Sequence, residues 1–323
     1  MPLLSVDEAF GELLHRLELN QSRVALASQR YNAVKATIEG ALPGKTLRQV
    51  GSFQRKTKIR PVGLGDQLDV DAVVSFGRFT HYAPPNSAGT TPSKALDIVR
   101  RALSSNQTYR VMPQEQDHPV VRLQYADQMA IELIPAYEDY TGQHPRGPNE
   151  PACYIVGTAS GSWRPADYDY DAQIISVLNA LSKSKLVPTI KLAKAYSRHV
   201  TVPLKSFHIE VLVANIIPPT VTAWESKNYS YGYPHLIASF LSQVPYFVTK
   251  PATLQGSYSP PVNSDLSVST LSSVGAFLAG RAEVAWRLCA DKSAAALAGW
   301  RDFFGELFPS SEEGIGWAQA LHR

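Results

Sequence analysis

A chain of 323 residues with 44% hydrophobic and 18% charged content is globular and long enough for about two domains. Its two cysteines, Cys153 and Cys289, exclude a disulfide framework, so a reducing, cytoplasmic setting is expected. A formal net charge of +3, from 31 basic and 28 acidic residues, allows a phosphate-bearing ligand but leaves no broad basic track for RNA. No run of 18 or more apolar residues occurs, and the first twenty residues mix acids with apolar side chains, so neither a membrane span nor a signal peptide is expected.

In chain order, apolar spacing predicts a helix over residues 6–17 and a longer one over 20–42, capped by Asn20 and ended by Pro43-Gly44. TLRQV then makes a short strand that delivers the chain to a Gly51-Ser52 turn. Residues 68–76 alternate, with Leu68, Val70, Ala72, Val74 and Phe76 on one face and Asp69 and Asp71 on the other. A loop over 77–93 and a helix over 94–104 follow. Residues 120–125 and 129–134 read as a hairpin, with Pro135 ending the second arm. Residues 138–167 are rich in Gly and Pro and mark the change from a strand-bearing half, 1–160, to a helical half, 161–323. In the second half, helices are expected over 172–182, 188–199 with Pro188 as its first residue, 204–216, 234–243, 266–307 with breaks, and finally 312–323.

Same-face side chains on a strand lie roughly 6.5–7 Å apart, so Asp69 and Asp71 can share one divalent cation or bridge two. Without a cation the pair repels itself. In the hairpin's second arm, Glu132 projects opposite Met129, Ile131 and Leu133 and offers a third carboxylate, as a two-metal phosphoryl-transfer site requires. Gly51 lets a ligand approach the backbone, and Ser52 offers an amide and a hydroxyl to phosphate oxygen. Arg55, Lys56, Lys58 and Arg60 follow at once, either as a solvated face or as triphosphate contacts. Lys191 and Lys194 lie one turn apart and by themselves read as surface charges, and Lys205-Ser206-Phe207 opens a helix whose N-terminus suits an anion.

Three separated stretches agree in order and spacing: G-S-F-x-R-x-T-x-I, then D-V-D-A-V-V, then I-E-L-I-P-A. Together they resemble the bacterial branch of the nucleotidyltransferases related to cyclic GMP-AMP synthase and oligoadenylate synthetase, the CD-NTase family of anti-phage CBASS signalling. The resemblance covers roughly residues 45–215, with Tyr154-Ile155-Val156, Trp163, Pro165, IKLAKAYSR and KSFHIEVLV as later landmarks. It implies an α+β fold of the polymerase-β-like type: a mixed sheet with a long N-terminal helix, in a catalytic core over 1–160, and a helical C-terminal domain over 161–323 closing the nucleotide cleft. It further implies that Asp69, Asp71 and Glu132 bind two Mg²⁺ or Mn²⁺ ions, and that Gly51 and Ser52 hold the β- and γ-phosphates. Lys194 and Ser206 match later phosphate contacts, and Phe207 stands where the family stacks an aromatic ring on a base, with Tyr196 a further candidate.

The implied substrates are nucleoside triphosphates, ATP among them, and the implied product is a cyclic di- or trinucleotide read by a separate effector protein. The chain lacks the Cys/His zinc module of DNA-sensing animal relatives, so direct binding of long double-stranded DNA is not expected. Two other readings of the same residues stay open here: a transferase adding nucleotides linearly to RNA, a protein or a small molecule, and an inactive nucleotide-binding scaffold. A third has Asp69 and Asp71 merely pairing with Arg55 and Arg60.

Overall fold

Side-chain caps set the first two helices. Ser5 accepts the Glu8 amide while the Glu8 carboxylate reaches back to the Ser5 amide, a reciprocal box that starts α1 (Val6–Leu17). Asn20 accepts from the Arg23 amide and starts α2 (Gln21–Ala41). The computed structural model describes residues 4–61, 66–79, 90–117, 119–141, 151–291 and 293–310. Most of the expected loop at 77–93 and all of the expected helix at 312–323 lie outside the described residues.

The sheet half follows as β1 (Thr46–Gln49), α3 (Gly51–Gln54), β2 (Leu68–Arg78), α4 (Pro92–Ser104), α5 (Gln107–Val111), β3 (Gln114–Asp117), β4 (Val120–Gln124), β5 (Met129–Asp139), β6 (Cys153–Gly157) and β7 (Trp163–Ala166). Strand order is β1-β2-β5-β4-β3, with β6 on β5 and β7 on β6. Only the β2–β5 pairing is parallel among the described strands; the others are antiparallel. The alternation in β2 works as expected: Leu68, Val70, Ala72 and Val74 are buried beneath α2 and α4. Asp69, Asp71 and Glu132 are thereby left on the opposite face.

Two expectations about this half are corrected. Pro135 does not end its strand. On the side away from β2, β5 pairs with β4 up to Leu133 and with β6 from Ala136, so the residue without an N–H falls in the changeover between partners. The Gly- and Pro-rich stretch at 138–167 is also not plain linker, since it holds the end of β5, all of β6 and all of β7. β6 is buried along its whole length and reads as a short apolar run without alternation, which is why periodicity missed it.

The helical half comprises α6 (Tyr168–Leu181), α7 (Leu186–His199), α8 (Ser206–Ser226), α9 (Tyr233–Phe247), α10 (Val268–Ala290) and α11 (Ala294–Phe304). Pro188 is the third residue of α7, not its first, a position whose N–H also lacks an intrahelical acceptor. Helices α8 and α9 run through Pro218-Pro219 and Pro245, beyond the expected ends. Burial of Ile216, Ile217, Pro218 and Val221 offsets the backbone bonds lost in α8. Helix α1 packs in this half: Phe10 meets Trp300 edge-on at 4.9 Å within a core that includes Leu212 and Phe240. Among the described residues, no helix is long and apolar enough to cross a membrane.

Candidate active site

Register across three strands builds the acidic row. Asp71 on β2 lies directly opposite Glu132 on β5, and Glu132 lies directly opposite Arg122 on β4. Asp69 is two residues before Asp71 on the same face. The Arg122 guanidinium donates to the Asp69 carboxylate at 2.6 Å and also to Glu132 and Gln67. Asp69 and Asp71 therefore do not pair with Arg60, and Arg55 is committed elsewhere. Arg122 escaped the sequence reading, although the pattern of β4, with Val121 and Leu123 buried, places it on the acidic face.

Gly51 closes the site from the other side. It opens the short helix α3 rather than forming a plain turn, has φ +72°, and stands so near β2 that a Cβ there would come within 1.9 Å of Asp71 Oδ2. The Val50 amide donates to the Asp71 carbonyl at 2.9 Å, and the Ser52 amide donates to the Asp71 carboxylate. Gly51→Ala is expected to cost more than about 1 kcal/mol of stability from backbone strain. It should also drive Asp71 out of place, so turnover falls by more than the melting temperature predicts. Thermal melting and turnover measured together check this.

Burial works against charge on two of the three carboxyls, Asp71 and Glu132. Burial raises the Asp71 carboxyl despite the nearby Arg55. Burial first, then the charges of Asp71 and Asp69, push Glu132 up from 4.5 to about 8. Asp71 and Glu132 face each other across the β2–β5 pairing, so each carboxyl raises the cost of charging the other. Among the described residues no three His, Cys, Asp or Glu side chains already stand in metal-holding geometry. The donor chemistry nevertheless fits a hard divalent cation: three carboxylates offer oxygen ligands only, with Arg122 paired to two of them.

A pH dependence follows. Glu132 binds its proton more tightly in the folded chain than in the unfolded one, so cation-free stability should be greatest below pH 4.5 as far as this group is concerned, and fall as pH rises toward about 8. Saturating Mg²⁺ should flatten that decline. Urea unfolding between pH 5 and 8, with Mg²⁺ and with chelator, checks both signs.

Behind Gly51, a buried ion network joins the two halves. Arg55 donates to both Glu210 oxygens, at 2.7 and 3.1 Å, and Thr57 donates to Glu210 at 2.9 Å. Lys194 on α7 donates to Glu210 at 2.6 Å and to the Thr57 carbonyl at 3.0 Å. Burial would raise Glu210, but the charges of Arg55 and Lys194 outweigh it and bring the carboxyl down to about 2. Lys191 and Lys194 are thus not surface charges, being 9% and 3% exposed.

The remaining expected residues line two cavities. Lys194 and Ser206 share one of about 240 Å³ with Arg198. Phe207 lines another of about 420 Å³ with Lys205, His208, Tyr168 and Asp171, and the Arg55 guanidinium lies 4.4 Å from the Phe207 ring centroid. His208 is 1% exposed with neither ring nitrogen hydrogen-bonded, and burial lowers it to about 4. Burial likewise raises Asp171 to about 6. Tyr196 lines neither cavity and is buried in the helical core, 5.6 Å from Phe303 between ring centroids. Glu210, His208 and Asp171 carried no sequence signal, because their environments come from distant segments.

Residues 4–167, just over half of the chain, match the model of the Second Messenger Oligonucleotide or Dinucleotide Synthetase domain. A curated protein of Bacillus cereus strain VD146, named a probable cyclic nucleotide synthase, is 23% identical over 307 residues and covers 84% of each chain. The fold is similar to that of Escherichia coli MS115-1 CdnC, solved with ATP, at TM-score 0.68 and 16% identity over 94% of this chain and 99% of that one. Bradyrhizobium diazoefficiens CdnG, a CD-NTase solved with GTP, aligns at TM-score 0.66 and 16% identity over 98% and 99%. Vibrio cholerae DncV, a cyclic AMP-GMP synthase, aligns at TM-score 0.60 and 14% identity over 95% and 88%. The chain carries the CD-NTase nucleotidyltransferase fold and belongs to the Second Messenger Oligonucleotide or Dinucleotide Synthetase family of enzymes.

Proposed function

We propose that this enzyme joins nucleoside triphosphates, ATP among them, into a cyclic di- or trinucleotide, releasing pyrophosphate at each step. The observation that carries the reading is the alignment of Asp69, Asp71 and Glu132 on adjoining parallel strands beside Gly51 and Ser52 at the start of α3, in a chain of this family. A ribose hydroxyl oxygen attacks the α-phosphorus, the bond from that phosphorus to the bridging oxygen of the leaving pyrophosphate breaks, and repetition closes the ring. Two Mg²⁺ or Mn²⁺ ions held by Asp69, Asp71 and Glu132 would lower the pKa of the attacking hydroxyl and neutralise the triphosphate.

The chain's own residues do the positioning. Gly51 and Ser52 orient the β- and γ-phosphates, and Lys194 and Ser206 contact phosphate across the cleft. Phe207 stacks on a base, and Glu132 faces the acceptor hydroxyl. The product serves a separate effector in cytoplasmic anti-phage defence. The test is incubation with all four ribonucleoside triphosphates and Mg²⁺ or Mn²⁺, phosphatase treatment, and mass spectrometry, with an Asp69→Ala, Asp71→Ala variant alongside. A phosphatase-resistant cyclic product made only by the wild type supports the reading, and linear products overturn it.

A further inference from the structure

The guanidinium in the acidic row has a role that the proposed chemistry leaves unassigned. Arg122 is 19% exposed, and its donors are spent on the site: Asp69 at 2.6 Å, Glu132, Gln67, and Gln124 at 3.3 Å from Nε. Its place is fixed by register, since Arg122, Glu132 and Asp71 form one row across β4, β5 and β2. A planar fork can hold two carboxylates at once, which an ammonium cannot do with the same geometry. Arg122 occupies Oδ1 of Asp69 and Oε1 of Glu132, for which a divalent cation held by both carboxylates would compete.

We propose that Arg122 is a built-in counter-ion, holding Asp69 and Glu132 together in the cation-free enzyme and giving up Asp69 when divalent cation binds. The inference rests on the reading of these carboxylates as metal ligands. On it, Arg122 competes with the cation and sets the concentration at which the site assembles. The charge it supplies is worth most before metal arrives, when Arg122 is the cation paired with both Asp69 and Glu132. Once cation is bound, its positive charge is opposed to the metal's. Arg122 is therefore a positioning residue with opposite effects on the two states.

The experiment is Mn²⁺ titration of the full chain, read by the loss of the free-ion electron paramagnetic resonance signal, together with melting in chelator and in Mn²⁺. Arg122→Gln should bind Mn²⁺ about tenfold tighter or more, because the cation no longer displaces a charge-assisted hydrogen bond. It should also melt lower than wild type in chelator and gain more on adding Mn²⁺. Arg122→Lys keeps the charge without the fork; its affinity should fall between the two, and it serves if the neutral variant fails to fold. Mn²⁺ affinity equal to or weaker than wild type in these variants overturns the proposal. Where wild type binds Mn²⁺ and Asp71→Asn does not, unchanged or weaker affinity in the Arg122 variants overturns the role of Arg122 alone; if wild type shows no binding that Asp71→Asn removes, the metal-ligand reading falls with it.

Discussion

Asp71→Asn is expected to lower nucleotide turnover about a thousandfold, corresponding to roughly 4 kcal/mol of transition-state stabilisation, while leaving the fold intact. Asparagine has the same shape, and its side-chain oxygen can still accept the Ser52 amide. Its amide group can donate to Glu132, which lies directly opposite on β5. What it cannot do is present a second charged oxygen to a cation. Because burial already disfavours the charged form of Asp71, removing that charge should hold or raise the melting temperature in chelator. Turnover lost with stability kept is the signature of a residue retained for chemistry. Turnover within a few fold of wild type would show that the site does not work through this carboxylate.

Glu210→Ala should do the reverse and act on stability first. The side chain is fully buried between Arg55 and Lys194, which are themselves 8% and 3% exposed. Truncation leaves two buried cations facing each other, a loss of about 3–5 kcal/mol, or on the order of 10 °C in melting temperature. The pair also carries a pH signature of known sign. Glu210 is lowered from 4.5 to about 2, so its contribution is complete above pH 4.5 and is lost as pH falls toward 2. Wild type should show this acid limb in urea unfolding, and Glu210→Ala should lack it. A triple replacement by apolar side chains, Arg55→Met, Lys194→Met and Glu210→Leu, should recover much of the stability, since a buried ion network is often no more stable than well-packed apolar residues. It should not recover turnover, because Arg55 no longer lies over Phe207 and Lys194 is gone.

Both positions show which parts of the molecule the sequence makes legible. Asp69 and Asp71 stand out because a half-buried strand alternates, and the alternation alone puts both carboxylates on the face away from α2. Glu132 interrupts an apolar strand by the same rule. The second helix is readable to its cap, since Asn20 acts within three residues of its own position, whereas the equally local box at Ser5 went unread. Glu210 and Lys194 are different. On α8 and α7 they look like ordinary helical charges, and only the chain segment at Arg55 and Thr57, more than 130 residues away in sequence, turns them into a buried network. Arg122 needed the strand register and not merely the strand. The short strands β6 and β7 were hidden by the glycines and prolines around them, whose local signal is that of a loop.

Metal-dependent nucleotidyl transfer at the row of Asp69, Asp71 and Glu132 can be seen directly in a complex. Crystals grown with Mn²⁺ and a non-hydrolysable ATP analogue, with data collected to locate manganese by anomalous scattering, test it most directly. Two manganese peaks are expected roughly 2.1–2.3 Å from carboxylate oxygens of Asp69 and Asp71, between the distances typical of Mg²⁺ and Ca²⁺, one of them also contacting Glu132, with Arg122 withdrawn from Asp69. A bound analogue with no manganese at these carboxylates, and Arg122 still forked between Asp69 and Glu132, would contradict it.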